Sequence, residues 1–134
     1  MLARARAAGC YDELFEGDLV DLLRSMPDTF DLLTASDTLN YFGDLQPVLA
    51  AAAAALVPGG LVAFTLECDG EDGDHRLTPS GRFVHGRRWA TDVVATSGFA
   101  LVGEDRGVLR REGGAEAPGL VVVARRLTPT EADQ

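Results

Sequence analysis

Lysine is missing altogether: all 12 basic residues of this 134-residue chain are arginine, set against 21 acidic ones, for a formal net charge of −9. An acidic balance of that kind disfavours nucleic acid and anionic membrane surfaces, which are bound through basic faces. The clusters Arg87-Arg88 and Arg110-Arg111 read as solvated faces rather than binding patches. Cysteine is scarce as well. Cys10 and Cys68 have neither metal-ligand nor redox spacing, so they read as free thiols in a reducing compartment. The alanine-rich run at 50–56 falls far short of the ~20 apolar residues that a membrane span needs. The first residues are too charged and too few for a secretory leader. A soluble, cytoplasmic protein is the expectation. Glycine is also thin at the front: only Gly9 precedes Gly17, which excludes a glycine-rich loop for cradling phosphate there.

What is present is a long alternation of helix and strand signals. Residues 2–8 are rich in Ala and Arg and end at Gly9, as the close of a helix does. Residues 11–16 read as a short strand and 19–24 as a short helix stopped at Met26-Pro27. The run 30–36 is apolar without polar alternation, as in a strand covered on both faces. Asp44 is placed to cap a helix over 45–56, which Pro58-Gly59-Gly60 ends before a second buried-type strand at 61–66. Residues 68–78 and 80–86 read as loops, 89–97 as a helix, and 99–111 with 120–126 as an antiparallel hairpin. Residues 128–134 form a polar tail beyond a single domain at 1–127. The spacing predicts an α/β fold with a mostly parallel sheet, helices on both faces and a C-terminal antiparallel hairpin.

Several segments taken in order carry a family likeness. They are Phe30-Asp-Leu-Leu-x-Ala-x-Asp, Leu39-x-Tyr, Leu56-x-Pro-Gly-Gly-Leu, Phe64-Thr-Leu-Glu67, Ser80-Gly-Arg-Phe-x-His85, Gly98-Phe99 and Leu109-Arg110-x-Glu112. Together they resemble the class I S-adenosylmethionine-dependent methyltransferases, more narrowly a subgroup of small ones, some with tetratricopeptide repeats. The resemblance implies a Rossmann-like sheet of strand order 3-2-1-4-5-7-6 with the seventh strand antiparallel. By position, this chain supplies the third to seventh strands. The glycine-rich loop and the ribose-binding acid of the first two strands have no counterpart in it, so the resemblance implies a truncated domain, the C-terminal portion of a catalytic unit. Three consequences stay open. The 11–16 strand shifts inward to pair with 30–36, two chains pair edge to edge, or the missing half stands on the natural polypeptide.

The resemblance also implies roles. Asp18 and Leu19 would edge the adenine of S-adenosylmethionine, and Ala35, Ser36 and Asp37 would line its sulfonium end. Glu67 and His85 would be the catalytic bases, with Tyr41 and Arg82 on the side of a small-molecule acceptor. Metal is not part of the expectation. Methyl transfer needs mainly that the acceptor be held in line with an already activated methyl group. Each residue has a plainer reading beside that one. Asp18 and Asp37 suit helix caps or turns, Tyr41 and Trp89 suit packing, and Arg82 could pair with the acidic run at 71–74. The competing function is a non-catalytic α/β module that binds no cofactor and self-associates through the sheet edge that the missing strands leave exposed.

Overall fold

The computed structural model describes residues 2–68, 70 and 73–132, without the side chain of Glu112. In chain order the elements are α1 (Leu2–Ala8), α2 (Leu19–Arg24), β1 (Phe30–Ala35), a 3-10 turn (Leu39–Tyr41), α3 (Gln46–Ala55), β2 (Leu56–Glu67), β3 (His75–Leu77), β4 (Phe83–His85), α4 (Arg87–Thr96), β5 (Phe99–Glu112), β6 (Ala115–Arg126) and α5 (Pro129–Ala132). The six strands form one sheet. β2 lies at its centre, with β6 and then β5 on one side and β1 on the other, and the short β4 and β3 continue past β1's end.

The order β1-β2-β6-β5 is the fourth-fifth-seventh-sixth order that the family likeness implies, and the closing hairpin is antiparallel as expected. The parallel share is smaller than the alternation suggests. β1 pairs with β2 in parallel and Glu67 pairs with Val84 of β4, but β2/β6, β5/β6 and β3/β4 are antiparallel. The segment 11–16 is irregular rather than a strand, so it does not pair with β1. A strand is stable only against a partner, and among the described residues β1's outer edge offers none that this segment takes up. Residues 75–77 and 83–85, read as loops from their Gly and polar content, form the β3/β4 ladder.

Alternation along β2 and β6 builds the core. Val62, Phe64 and Leu66 of β2 and Leu120, Val122 and Ala124 of β6 are buried and point to one face. Against them lie Leu23 of α2, Val48, Leu49 and Ala52 of α3, and Ala90, Val93 and Val94 of α4. Each fully buried Leu or Phe here contributes about 1.5–3 kcal/mol by leaving water. Helices on both faces were the expectation; among the described residues α2, α3 and α4 share this one face. The opposite face carries Leu32, Leu61 and Val121, all well exposed. At the start of β2, pairing with β1 jumps from Phe30↔Leu56 to Leu32↔Leu61. The Pro58-Gly59-Gly60 segment fits in that gap, with Gly59 at φ +83° and no room at Gly60, where a Cβ would stand 2.9 Å from the Val57 carbonyl. Arg126 closes the same corner by bonding the Leu56 carbonyl and Asp28. The polar tail adds α5, fixed by two bonds from Arg125 to Glu131 at 2.8 and 2.6 Å. Among the described residues no helix is long and apolar enough to cross a membrane.

Candidate active site at the carboxyl ends of the parallel strands

β1 and β2 run parallel, so their carboxyl ends open on the same side of the sheet, where α/β folds place their ligands. β1 ends at Ala35 and the chain turns at Asp37, which holds φ +52°, a left-handed conformation that Asp tolerates better than most residues. Thr38 donates to the Ser36 carbonyl at 3.0 Å, and the Asp37 amide donates to Thr65 Oγ1 of β2 at 2.9 Å. These two bonds fix the turn against the neighbouring strand.

Asn40 completes the connection. It is fully buried in the 3-10 turn, donates from Nδ2 to Asp37 Oδ1 at 2.6 Å, and accepts at Oδ1 from the Glu67 amide at 3.1 Å. One amide side chain thereby ties the end of β1 to the end of β2.

Glu67 stands between two guanidinium groups. Arg82 Nε is 3.3 Å from Oε2, and Arg110 Nη2 is 2.7 Å from Oε1. Arg110 also reaches across with Nη1 to Asp37 Oδ1 at 2.8 Å. Side-chain exposure is only 13% at Glu67, 17% at Arg82 and 19% at Arg110, so the two pairs of Glu67 are better shielded than an ordinary surface ion pair, while Asp37 is 53% exposed. Two carboxylates and two guanidiniums compensate one another in a compact polar cluster. Arg82 thus pairs with Glu67 itself; Glu71 and Asp72 of the acidic run considered for it lie outside the described residues.

His85, at the end of β4, is fully buried. Its Nε2 is 2.8 Å from the Phe42 carbonyl and 3.1 Å from that of Gly43. Carbonyls only accept, so Nε2 carries the proton and donates. Burial pulls the imidazole below its ordinary value of 6.5, with the His75 ring adding to that; the two carbonyls and Glu67 act the other way. The ring stacks on Trp89 at 5.8 Å and 9°, and His75 packs on Trp89 and Phe83 at 5.4 and 5.7 Å. Trp89 is half-buried against the core.

Of the cofactor-side residues, Asp18 is exposed and caps α2, accepting from the Asp21 amide at 3.0 Å. Leu19 and Ala35 line a cavity of about 130 Å³ together with Leu33, Leu39, Val48 and Val62. Its wall is apolar, and it lies between α2, α3 and the end of β1. Ser36, next in sequence to Ala35, is exposed, and Tyr41 in the 3-10 turn is 60% exposed. The structure therefore gathers Asp37, Glu67 and Arg82 into one cluster, sets Leu19 and Ala35 in a neighbouring cavity, and leaves Asp18, Ser36 and Tyr41 at the surface. Two members of the cluster, Asn40 and Arg110, were not singled out as site residues. Arg111 is a solvated face, 76% exposed beside Glu116, but Arg110 is not, and the only signal for it was its place in the Leu109-Arg110-x-Glu112 segment.

Residues 1–64 match the methyltransferase domain family. No curated protein matches the chain by sequence. Solved structures share its fold. An S-adenosylmethionine-dependent methyltransferase from Mesorhizobium loti is 24% identical with a TM-score of 0.71, over 94% of this chain and 76% of its own. A 1,6-didemethyltoxoflavin-N1-methyltransferase from Burkholderia thailandensis, bound to 1,6-didemethyltoxoflavin and S-adenosylhomocysteine, is 20% identical with a TM-score of 0.71, over 92% and 56%. A [4+2]-cyclase, SpnF, reaches a TM-score of 0.76 at 14% identity, over 95% and 61%. The chain thus spans between about half and three quarters of the length of these proteins. It has the class I methyltransferase fold from β1 to β6.

Proposed function

We propose that this chain is the C-terminal part of an S-adenosylmethionine-dependent methyltransferase acting on a small molecule. The observation that carries the proposal is the placing of Asp37 and Glu67, bridged by Arg110 at the carboxyl ends of adjacent parallel strands, beside an apolar cavity. The match of residues 1–64 to a methyltransferase domain supports the reaction class. The SpnF likeness is a reminder that one fold serves more than one reaction.

The residues present fit one end of the cofactor. The apolar cavity of about 130 Å³ is smaller than the roughly 300 Å³ or more of a pocket that encloses a whole drug-sized ligand, so it would take only one end of the cofactor. Leu19 and Ala35 would hold the adenine between them, with Asp18 at its rim and Ser36 and Asp37 towards the sulfonium. When bound, S-adenosylmethionine would supply a methyl group already activated by its sulfonium, which would leave as a neutral thioether. Glu67 would orient the acceptor and take up the proton it releases, with Arg82 balancing the charge. Tyr41 would close the acceptor side. His85, locked against Phe42 and Gly43, would hold the segment that carries Tyr41; a direct base role would require its ring to leave Trp89. The free thiols Cys10 and Cys68 support a cytoplasmic setting.

A second reading is favoured by one observation. Among the described residues the outer edge of β1 has no strand partner, and Leu32 on it is 56% exposed. Such an edge pairs readily with another copy, and a non-catalytic, self-associating module would use it. Calorimetric titration with S-adenosylhomocysteine, with light scattering on the same sample, separates the two. Micromolar binding is the expected result. A folded, associated sample that takes up no ligand would overturn the methyltransferase reading for this chain.

A further inference from the structure

We infer that Arg110 is a positioning residue that couples the two sides of the site, and that a bulge in the β5–β6 hairpin exists to aim it. The inference rests on the functional reading above for the identity of the two sides. The geometry itself is independent of that reading.

β2 pairs with β6 only as far as Glu67↔Gly119. Beyond that point only the bond from the Cys68 amide to the Pro118 carbonyl, at 3.1 Å, continues the backbone pairing with β6, and Gly107 faces Gly119 directly where the ladder ends. The register then changes. Val108 faces Pro118, but Arg110 faces Ala117, so Leu109 is an extra residue. Paired strands alternate faces with period two, and one inserted residue turns every later side chain over. Without the bulge Arg110 would stand opposite Glu116 and point to the helix-covered face. With it, Arg110 shares the face of Ala117, Gly119 and hence Glu67, across 43 positions of sequence.

The extra residue needs room, and Gly119 provides it. Leu109 folds over Gly119 so closely that a Cβ there would fall 2.2 Å from Leu109 Cγ and 2.5 Å from Cδ1. Glycine in a strand interior weakens the strand and often marks such a close approach. Two local features therefore serve one result: a missing side chain at 119 and a bulge at 109 deliver a guanidinium to two carboxylates at once. Arg110 is also the member of the cluster that touches both. Nη1 is 2.8 Å from Asp37 and Nη2 is 2.7 Å from Glu67. A planar guanidinium can span two carboxylates in this way, which a point-like ammonium cannot do with the same geometry. A ligand that draws on Asp37 therefore changes how tightly Arg110 holds Glu67, and the reverse follows by linkage.

The test is a mutant cycle on the whole chain, read by the affinity for S-adenosylhomocysteine. Glu67→Gln should shift the dissociation constant by about threefold or more in the wild-type background and leave it nearly unchanged in Arg110→Met. Arg110→Lys should abolish the coupling as Met does, and Gly119→Ala, which carries no charge change, should do so by displacing Leu109. Equal shifts in both backgrounds, or none in either, would overturn the inference while leaving the cofactor reading intact. If wild type does not bind the probe, the functional reading fails and the bridge is read by amide hydrogen exchange in residues 108–118. Exchange should quicken several-fold in both Arg110→Met and Gly119→Ala, and unchanged exchange in either would sink the bridge.

Discussion

Replacing Asn40 by alanine removes two bonds from the one side chain that ties β1 to β2 at the site. The Nδ2 bond to Asp37 is to a charged acceptor, for which the usual net loss is about 1.5–3 kcal/mol. The Glu67 amide loses its acceptor at a half-buried position, which costs roughly 1–3 kcal/mol more unless water enters. Asn40→Ala should therefore lower stability by about 2.5–6 kcal/mol, a large share of what a domain of this size has. Asn40→Asp refines the test. It keeps an acceptor for the Glu67 amide but sets a second carboxyl where Nδ2 now stands 2.6 Å from Asp37. Burial and the neighbouring charge raise the pKa of the introduced carboxyl above its unfolded value of ~3.9. The folded form then binds the extra proton more readily, so the penalty is full above the raised pKa and fades as the pH falls towards the unfolded value. Urea unfolding followed by the fluorescence of Trp89, the single tryptophan, measures both variants between pH 4.5 and 8. A loss under about 0.5 kcal/mol for Asn40→Ala, the range of an ordinary surface change, would refute the claim that Asn40 holds the strand ends together.

Because burial lowers the pKa of His85, the folded state takes up its proton less readily than the unfolded chain. The stability present above the unfolded value near 6.5 should be lost as pH falls towards and through the folded pKa; His85→Gln should flatten that slope in urea titrations, and an unchanged slope would count against it. Phe64 is 2% exposed at the middle of β2, so Phe64→Ala should cost about 3–5 kcal/mol, seen as a fall in urea midpoint.

The sheet was largely legible because its strands carry their burial in their own composition. Phe30 to Ala35 and Leu61 to Leu66 are apolar runs bounded by turn residues, and both became neighbouring strands. The hairpin at 99–126 was legible for the same reason, as was α3 between Asp44 and Pro58. The 11–16 segment misled because its strand signal is real, yet strand formation depends on a partner that composition does not reveal. The faces of the sheet were equally hidden: exposure of Leu32 and Leu61 depends on what packs over them, not on what they are. In the site, Glu67 could be found from its position at a strand's end. Asn40 could not, because its value lies in bonds to residues 3 and 27 positions away. Arg110 looked like half of a solvated pair, since nothing in Leu109-Arg110-Arg111 announces a one-residue bulge.

The placing of the last strand also governs how this molecule is made. β6 lies between β2 and β5, yet it is synthesised after both. The central strand β2 is complete at Glu67, but the partner for its other edge ends only at Arg126, roughly 60 residues later. At synthesis rates of about 5–20 residues per second that gap lasts roughly 3–12 s. Through that interval a ribosome-bound chain carries Val62, Phe64 and Leu66 on a strand with one side unfilled. Closure of the sheet thus waits for the hairpin, and nascent chains should depend on holding chaperones until it arrives. A protease cut anywhere within β6 would undo the centre of the sheet rather than trim its margin.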